Sequence, residues 1–459
     1  MKLNEESTDI PGDKLLARAT KKVMVRLLPV ICLMYFMSYL NRTSAALAKT
    51  SLQVDVGIGA TVFGLGAGLF FVSYAFLEIP SNLVMFKVGP RRWIVRIAIT
   101  WGIVSALTMF VQGSNSFYLM RLLLGAAEAG LYPTLMYMVT IWFSQRYRAR
   151  AIGYIYLAPA IALIVGGPLG GGLMELDGLG GLHGWQWMFL IEGLLTVLVG
   201  VVTWFKLPET PKDAPWLSDA EAEILTERAI GATPHTESKL RGNFMTAFGR
   251  PFIVILSLIY FLNQIACVGI VFNVPAIVQS LHVHGFFMIG LVSGTAGIGG
   301  TIGVLVVPRI YRRFENEASM VGILAGLTAL ISIAYTMTSS PTLKIILIGV
   351  GMLFILGTLP VFWSIAMARM SGLMAVAGLA FINTIGLVGG FVGPYLFGLA
   401  QTKTGNPSAG FTVVIWSSIL GALLALGLHF ALRREDAAAA RQRDEDAAAA
   451  LALSATSRA

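Results

Sequence analysis

The sequence predicts an all-α membrane protein with twelve transmembrane helices, arranged as two six-helix bundles. Three features carry this prediction: the composition, the number of long apolar runs and a repeat between the two halves. Of the 459 residues, 56% are hydrophobic and only 12% are charged, whereas an average soluble protein carries about 25% charged residues. The mean hydropathy is +0.75. This composition excludes a soluble enzyme, a disordered chain and a nucleic-acid-binding protein.

Apolar runs long enough to cross a bilayer, about 20 residues each, recur twelve times. They lie at about 26–48, 62–86, 94–113, 119–143, 151–174, 186–206, 251–273, 286–308, 318–337, 342–367, 372–399 and 411–432. We therefore expect a first bundle over residues 1–206, a linker over 207–250, a second bundle over 251–432 and a charged tail over 433–459. In the linker, Ser218-Asp-Ala-Glu221 predicts a capping box and a short amphipathic helix.

The distribution of lysine and arginine predicts the orientation in the membrane. If both termini are cytoplasmic, the cytoplasmic segments, including the linker and the tail, hold 28 of the 33 basic residues. Lys49, Lys344 and Lys403 then lie outside, and Arg42 and Arg121 lie within spans. Short cytoplasmic segments of membrane proteins are enriched in basic residues. The net charge of +9 is therefore explained by the orientation of the chain in the membrane.

The two halves carry the same glycine motifs at one fixed offset. Phe63-Gly-Leu-Gly-Ala-Gly68 and Ile289-Gly-Leu-Val-Ser-Gly294 open the second and eighth runs, 226 residues apart. Gly167-Pro-Leu-Gly170 and Gly393-Pro-Tyr-Leu396 lie near the ends of the fifth and eleventh runs at the same offset. These matches favour an internal 6+6 repeat, and the glycines are predicted to form helix-packing surfaces. Parallel six-helix halves around a midplane site are the architecture of a secondary transporter.

Ionisable residues inside the spans are the candidates for function, because each costs about 2.5–3.5 kcal/mol or more at mid-bilayer. Arg42 shares a polar face of the first helix with Tyr39, and this face is predicted to point into a binding site. Arg121 and Glu128 share a face of the fourth helix, with Glu128 near the midplane. Arg42 suits a carboxylate, while Glu128 is protonated or ionised according to whether an arginine is near. This arrangement would couple a proton to an anion; a purely structural ion-pair network is the alternative.

Two further carboxyls, Glu78 and Glu192, also fall within spans but nearer to the span ends. A structural role is favoured for both. In the second half, the acidic residues between Pro251 and Arg433 are Glu315 and Glu317, both in a basic loop. The spans of the second half therefore offer neutral polar groups, and the candidate acid–base chemistry is confined to the first half.

Several motifs together resemble a known family. They are Phe70-Phe-Val-Ser-Tyr74, Glu78-Ile-Pro-Ser-Asn82, Gly89-Pro-Arg-Arg-Trp93, Arg121-Leu-Leu-Leu-Gly-Ala-Ala-Glu-Ala-Gly130, Gly184-Trp-Gln-Trp187, Ile191-Glu-Gly193 and Trp216-Leu-Ser218. In this order they resemble the anion:cation symporter family of the major facilitator superfamily, in particular its bacterial permeases for 4-hydroxyphenylacetate, tartrate and sugar acids. The resemblance implies the pseudo-symmetric major facilitator fold and proton-coupled import of organic anions by alternating access.

The resemblance also implies roles for single residues. Arg42 is similar to the family's substrate-carboxylate arginine, Glu128 to its proton-carrying glutamate and Arg121 to the partner of that glutamate. Tyr74 is similar to a tyrosine that lines the cavity. The residues similar to cavity groups of the tenth and eleventh helices are Trp363, Ser364 and Asn383.

Two positions depart from the family's pattern. Bacterial members usually carry Asp-Arg in the first helix, where this chain has Asn41-Arg42, so that one proton per anion is favoured over two. The fifth helix, residues 151–174, contains no Gln, Asn or Ser, whereas sugar-acid members commonly place a glutamine there. This departure favours a less hydroxylated or aromatic carboxylate as the substrate.

We therefore expect a carrier of the bacterial inner membrane, with both termini cytoplasmic, that imports a small organic anion with a proton and acts as a monomer. Its expected partners are the anion, the proton and the lipid bilayer. We expect no enzyme activity, cofactor, metal or nucleic acid, because the proton gradient supplies the energy. Two alternatives remain open: an exporter or antiporter of anions or drugs with the same fold, and a membrane sensor that binds its ligand without moving it.

Overall fold

A computed structural model describes residues 11–229, 250–311, 317–370 and 372–456. Within these residues, twelve helical stretches are long and apolar enough to cross a membrane, which confirms the predicted number. We number these spans in chain order. The helices of spans 1 to 6 are Leu28–Leu47, Ala60–Val88, Pro90–Leu107, Ser114–Glu128 with Leu131–Trp142, Gln145–Met174 and Gly184–Lys206. Those of spans 7 to 12 are Pro251–Val271, Phe286–Ser293 with Thr295–Tyr311, Glu317–Met337, Pro341–Ala368, Gly372–Thr404 and Phe411–Thr456.

Proline and glycine set several of these boundaries. Spans 3, 7 and 10 begin with Pro90, Pro251 and Pro341, because the fixed φ of proline suits the first helical turn and its missing N–H costs nothing there. Gly89, between spans 2 and 3, adopts a φ of 97°. Glycine is favoured at such an angle, so the chain can reverse direction between two spans without a loop.

Successive spans run in opposite directions, so the bundle has two faces. We call the face at which span 1 begins the terminal face, and the opposite one the distal face. The helix Pro11–Arg26, which precedes span 1, and the linker helix Asp219–Ala229 pack against each other at the terminal face. The last helix continues from span 12 through the predicted tail as far as Thr456. Residues 230–249 of the predicted linker lie outside the described residues.

The linker helix is fixed by the expected capping box. The backbone N–H of Ser218 donates to the Glu221 carboxylate at 2.9 Å, and the backbone N–H of Glu221 donates to the Ser218 hydroxyl at 3.3 Å. Lys22 of the preceding helix donates to the same carboxylate at 2.6 Å. Burial opposes ionisation of Glu221, but the hydrogen bonds from Lys22 and Ser218 outweigh it, and its pKa lies below the usual value.

The repeated glycine motifs form the contacts between the two bundles. A Cβ added to Gly64 of span 2 would meet the Pro394 carbonyl of span 11, and one added to Gly167 of span 5 would meet the Gly290 carbonyl of span 8. In each contact, the motif near the start of an even-numbered span in one half meets the Gly-Pro motif of the other half. The internal repeat therefore relates the two contacts to each other. Small residues allow such close backbone approach. Both contacts lie in the distal halves of their spans, and they close the distal face.

A buried lysine joins the bundles at the same face. Lys49 begins the short helix Lys49–Val56 after span 1 and is only 2% exposed. Its ammonium group donates to the side-chain carbonyls of Asn273 and Gln401, each at 2.5 Å, and both of these residues belong to the second half. Opening the distal face therefore requires this buried cation to leave its two amide partners as the glycine contacts separate.

We expect Gly167→Ala to weaken closure of the distal face, because the added methyl group would overlap the Gly290 backbone. Overpacking of this kind costs about 1–3 kcal/mol, which corresponds to about a tenfold shift towards the open arrangement. Closure is measured by disulfide formation between cysteines introduced at Thr61 and Thr402, whose hydroxyls lie 2.8 Å apart across the two bundles.

Gly153→Ala is the matched control, because Gly153 lies in the same span and an added Cβ there meets nothing within 4 Å. Cross-linking should fall in the Gly167 variant and stay unchanged in the control. Equal cross-linking yields in the two variants would contradict the assignment of the glycine contact as a determinant of closure.

Candidate functional site

Span 4 is broken at mid-depth, next to a buried carboxylate. Its first helix ends at Glu128, the midpoint of Ser114–Trp142, and its second helix begins three residues later. Gly130 lies between them with a φ of 86°, which favours glycine. The Ser81 hydroxyl donates to the freed carbonyl of Ala129 at 2.6 Å. Irregular backbone is tolerated at membrane depth where protein buries it or where it lines a cavity, and broken helices form the binding sites of many transporters.

Glu128 forms a buried ion pair with Arg42 of span 1. Arg42 Nη2 donates to Glu128 Oε1 at 2.7 Å, and the Ser38 hydroxyl donates to the same oxygen at 2.5 Å. Glu128 is 1% exposed, and its second oxygen has no hydrogen-bond partner among the described residues. Ser38 and Arg42 are one helical turn apart, so the polar face predicted for span 1 points at this carboxylate.

Aromatic rings surround the Arg42 guanidinium. Its Cζ lies 4.8 Å from the ring centroid of Tyr39, 5.1 Å from that of Phe70 and 5.9 Å from that of Phe71. Rings attract a cation through their negative faces without using its N–H groups. A guanidinium carries five N–H donors, and the hydrogen bond to Glu128 uses one of them. Arg42 can therefore bind a further carboxylate while it remains fixed in position.

Arg121 lies close to this pair but is not part of it. It is 3% exposed, and its Cζ lies 5.5 Å from the ring centroid of Phe70 and 5.8 Å from that of Phe272, a residue of the second half. Its Nε and Nη2 have no hydrogen-bond partner in the described part of the chain. The family resemblance implied Arg121 as the partner of Glu128, whereas the ion pair in this structure is formed by Arg42. A buried cation without a counter-charge is costly, so an anion near Arg121 would be stabilised.

Tyrosines of the first bundle form a cluster beside the ion pair. The ring centroid of Tyr35 lies 5.3 Å from that of Tyr39 and 5.6 Å from that of Tyr132, and the hydroxyls of Tyr132 and Tyr156 are 2.8 Å apart. The predicted Tyr74 is also buried, on span 2. Tyr132 and Tyr156 were not among the predicted site residues, although Tyr132 follows the Glu128 break by one helical turn. The cluster offers both aromatic faces and hydroxyl groups to a ligand.

The predicted residues of the second bundle lie on spans 10 and 11. Trp363 of span 10 packs against Tyr260 of span 7, with 5.2 Å between ring centroids. Ser364 and Asn383 are partly exposed on spans 10 and 11, and none of the three is hydrogen-bonded to Arg42 in the described part of the chain. Sequence reasoning did not select Tyr260. Within the same described residues, no group of three His, Cys, Asp or Glu side chains could hold a metal ion.

This geometry defines a class of protein. Two repeated six-helix bundles meet at one face, and an ion pair lies at mid-depth where one span is broken. Secondary transporters combine internal repeats, a discontinuous helix and a midplane site in this way. The chain is therefore a multi-pass membrane transporter of small molecules.

Comparisons with known proteins agree with this class. The chain is 33% identical over 415 residues to the quinolone resistance transporter of Acinetobacter baumannii, covering 90% of this chain and 96% of that one. It is 35% identical to a putative tartrate transporter of Agrobacterium vitis, covering 90% and 94%. It is also 35% identical to the inner membrane transport protein RhmT of Escherichia coli K12, covering 89% and 95%.

The fold matches a solved transporter structure as well. A bacterial homologue of the human lysosomal transporter Spinster, in an inward-facing and unoccupied conformation, superposes with a TM-score of 0.70 at 17% identity, covering 90% of this chain and 95% of that one. The sequence pattern of the Major Facilitator Superfamily matches residues 31–394. The chain belongs to the Major Facilitator Superfamily, as the motif resemblance implied.

Proposed function

We propose that this protein imports a small organic anion together with a proton, with Arg42 binding a carboxylate of the substrate and Glu128 carrying the proton. The observation that carries the proposal is the Arg42–Glu128 pair, in which an arginine with unused donors is the counter-ion of a buried carboxylate. The relatives named for tartrate and metabolite transport support an organic acid as the substrate class.

Charge balance at mid-depth supports the coupling. In the empty site the charges of Arg42 and Glu128 cancel, and the buried Arg121 adds one positive charge. An anion on Arg42 places a second negative group beside the Glu128 carboxylate, and the two like charges repel each other. A proton on Glu128 removes that repulsion and also frees the guanidinium for the substrate. The net charge of the site is therefore the same when it is empty and when it holds both the anion and the proton, and these are the two states that reorient readily.

The orientation that we propose places the terminal face in the cytoplasm of the bacterial inner membrane, as the basic residues indicate. The relative RhmT is named as an inner membrane protein. In this orientation the closed distal face is the outer one. Import would then consist of loading with the distal face open, closure by the glycine contacts, and release on the terminal side.

The tyrosine cluster of Tyr35, Tyr39, Tyr132 and Tyr156 favours a compact acid with an aromatic or lightly hydroxylated body. Ring faces stack on an aromatic substrate, and the hydroxyls reach one or two polar groups. Tyr74 of the first bundle and the second-bundle residues Trp363, Ser364 and Asn383 are proposed to complete the cavity when the bundles close around the substrate. We propose that one polypeptide chain is sufficient for the cycle.

An exporter is the second candidate function, because a relative that is 33% identical to this chain is named for quinolone resistance. The decisive experiment is uptake of labelled tartrate, sugar acids and aromatic acids into cells that express the chain, at acidic and at neutral external pH. Import predicts accumulation that rises with external acidity and is lost when a protonophore is added. Lower quinolone content in expressing cells, without uptake of any acid, would establish export instead.

We expect Arg42→Lys to weaken anion binding by at least about tenfold, because a lysine ammonium cannot form the planar, bidentate contact with a carboxylate or stack between rings. Arg42→Ala should weaken binding further. Binding is measured by the thermal shift of purified protein with a series of carboxylates. The control is Arg96→Lys, since Arg96 stacks on Trp93 in span 3, away from the ion pair. Unchanged affinity in both Arg42 variants would exclude Arg42 as the carboxylate-binding group.

We expect Glu128→Gln to abolish proton-driven accumulation while exchange of internal for external anion continues, because the amide resembles a permanently protonated glutamate. Both activities are measured in proteoliposomes with and without an inward acid gradient. Glu78→Gln is the control, since Glu78 is a span carboxyl that forms no ion pair among the described residues and should keep its accumulation. Accumulation that persists in Glu128→Gln would mean that the proton binds elsewhere.

A further inference from the structure

A second carboxyl is buried in the first bundle, away from the Arg42–Glu128 pair. Glu192 of span 6 is 1% exposed. Its Oε1 lies 2.7 Å from the hydroxyl of Ser44 on span 1, and its Oε2 has no hydrogen-bond partner among the described residues. Ser44 follows Arg42 by two residues and therefore faces the opposite side of the helix. Span 1 thus contacts Glu128 on one side and Glu192 on the other.

The hydrogen bonds around Ser44 indicate which group carries a proton. The Ser44 Oγ lies 3.0 Å from the carbonyl oxygen of Leu40 and 2.7 Å from Glu192 Oε1. A hydroxyl has one hydrogen, and an ionised carboxylate and a carbonyl are both acceptors. Both contacts are full two-centre hydrogen bonds when Ser44 donates to Leu40 and a protonated Glu192 donates to Ser44, whereas an ionised Glu192 would have to share the single Ser44 hydrogen with the Leu40 carbonyl. The geometry therefore fits the acid form of Glu192.

The charges near Glu192 lead to the same conclusion. No basic side chain of the described residues forms an ion pair with it. Of the arginines on the spans packed against span 6, Arg42 pairs with Glu128 and Arg96 stacks on Trp93 at 3.8 Å. The other arginines of spans 3 and 5 lie at the terminal ends, whereas Glu192 is 14 residues, or about 21 Å, from the terminal end of span 6. The other titratable groups on those spans are tyrosines and a cysteine, which carry no positive charge.

We propose that Glu192 is a second proton-binding carboxyl of the transport cycle: it takes up a proton from the distal side, keeps it while the distal face closes and ionises when span 1 then moves against span 6. The proton passes from the Glu192 acid to water on the terminal side and leaves a carboxylate, which takes up another proton from the distal side in the next cycle. This proposal rests on the proposed proton-coupled function and adds a second proton per anion to the one on Glu128. It revises the expectation of one proton that Asn41 suggested.

The position of Ser44 connects this carboxyl to the substrate site. Arg42 and Ser44 belong to one uninterrupted helix, Leu28–Leu47, so a displacement of span 1 by an anion at Arg42 also displaces the partner of Glu192. The amide of Asn41, next to Arg42 in the chain, donates to the Ser105 hydroxyl of span 3, and neither of these two neutral groups takes up or releases a proton. Span 1 therefore has two protonatable contacts, to spans 4 and 6.

The protonation state can be measured without transport. In purified protein at neutral pH, infrared spectroscopy should show the carbonyl stretch of a buried carboxylic acid, a band that a carboxylate lacks. Glu192→Gln should remove this band while the protein stays folded, because the amide N–H can donate to Ser44 as the acid does. Glu78→Gln is the matched control and should retain the band. A spectrum in which Glu192→Gln retains the band would overturn the assignment of the proton.

The carrier role is tested by stoichiometry. In proteoliposomes at zero membrane potential, the logarithm of the accumulation ratio should rise with the pH difference at the slope for two protons in the wild-type protein and in Glu78→Gln. In Glu192→Gln the slope should fall to that for one proton, which a merely structural residue would not change. Equal slopes in the wild type and Glu192→Gln would mean that Glu192 does not release a proton during the cycle, and they would overturn the carrier role.

The two proposals fail in different ways. Wild-type protein that accumulates the anion at a slope of one proton would refute the role of Glu192 and leave proton-coupled import intact. Wild-type protein that shows no proton-driven accumulation would refute the proposed function and, with it, the carrier role of Glu192. The infrared band would still decide whether Glu192 holds a proton.

Discussion

The ion pair between Arg42 and Glu128 is the interaction on which the rest of the site depends. Either charge alone at mid-bilayer depth is costly, so the pair has to stay balanced throughout any conformational cycle. The surrounding structure holds it in one geometry: rings lie against the guanidinium, and the Ser38 hydroxyl supports the carboxylate. The break of span 4 immediately after Glu128 is tolerated because the Ser81 hydroxyl satisfies the freed Ala129 carbonyl.

The fold is symmetric and its chemistry is not. The glycine motifs that repeat at an offset of 226 residues contact each other across the bundles. The distal face is therefore closed by two contacts that are built from the same pair of motifs. Such contacts depend on shape alone and can separate and re-form without a change of charge. Among the described residues, the buried charged side chains lie in the first half of the chain, whereas the interior of the second bundle offers rings and amides such as Trp363 and Asn383. A bundle that carries the charge can therefore rock against a neutral one, and the ion pair is never split between them.

The spans and the packing glycines were predictable because both are local properties of the sequence. A run of apolar residues fixes a helix length, and a glycine at a repeated position marks a close approach. The partner of Glu128 was not predictable, since Arg42 and Arg121 both lie on faces that could reach it, and only the packing of span 1 against span 4 decides between them. The break at Gly130 and the interbundle contact of Lys49 with Asn273 and Gln401 likewise depend on residues from different spans.

Span 1 connects these observations. Within seven residues it presents Ser38 and Arg42 to Glu128, Asn41 to Ser105, and Ser44 to Glu192. The three partner residues lie on spans 4, 3 and 6, so span 1 cannot move without changing the hydrogen bonding of both carboxyls. Glu128 has a cation to replace its proton and Glu192 has none. In the proposed cycle, Glu128 is therefore ionised while Arg42 is its partner and protonated when an anion occupies Arg42, whereas Glu192 keeps its proton until span 1 moves and water reaches it.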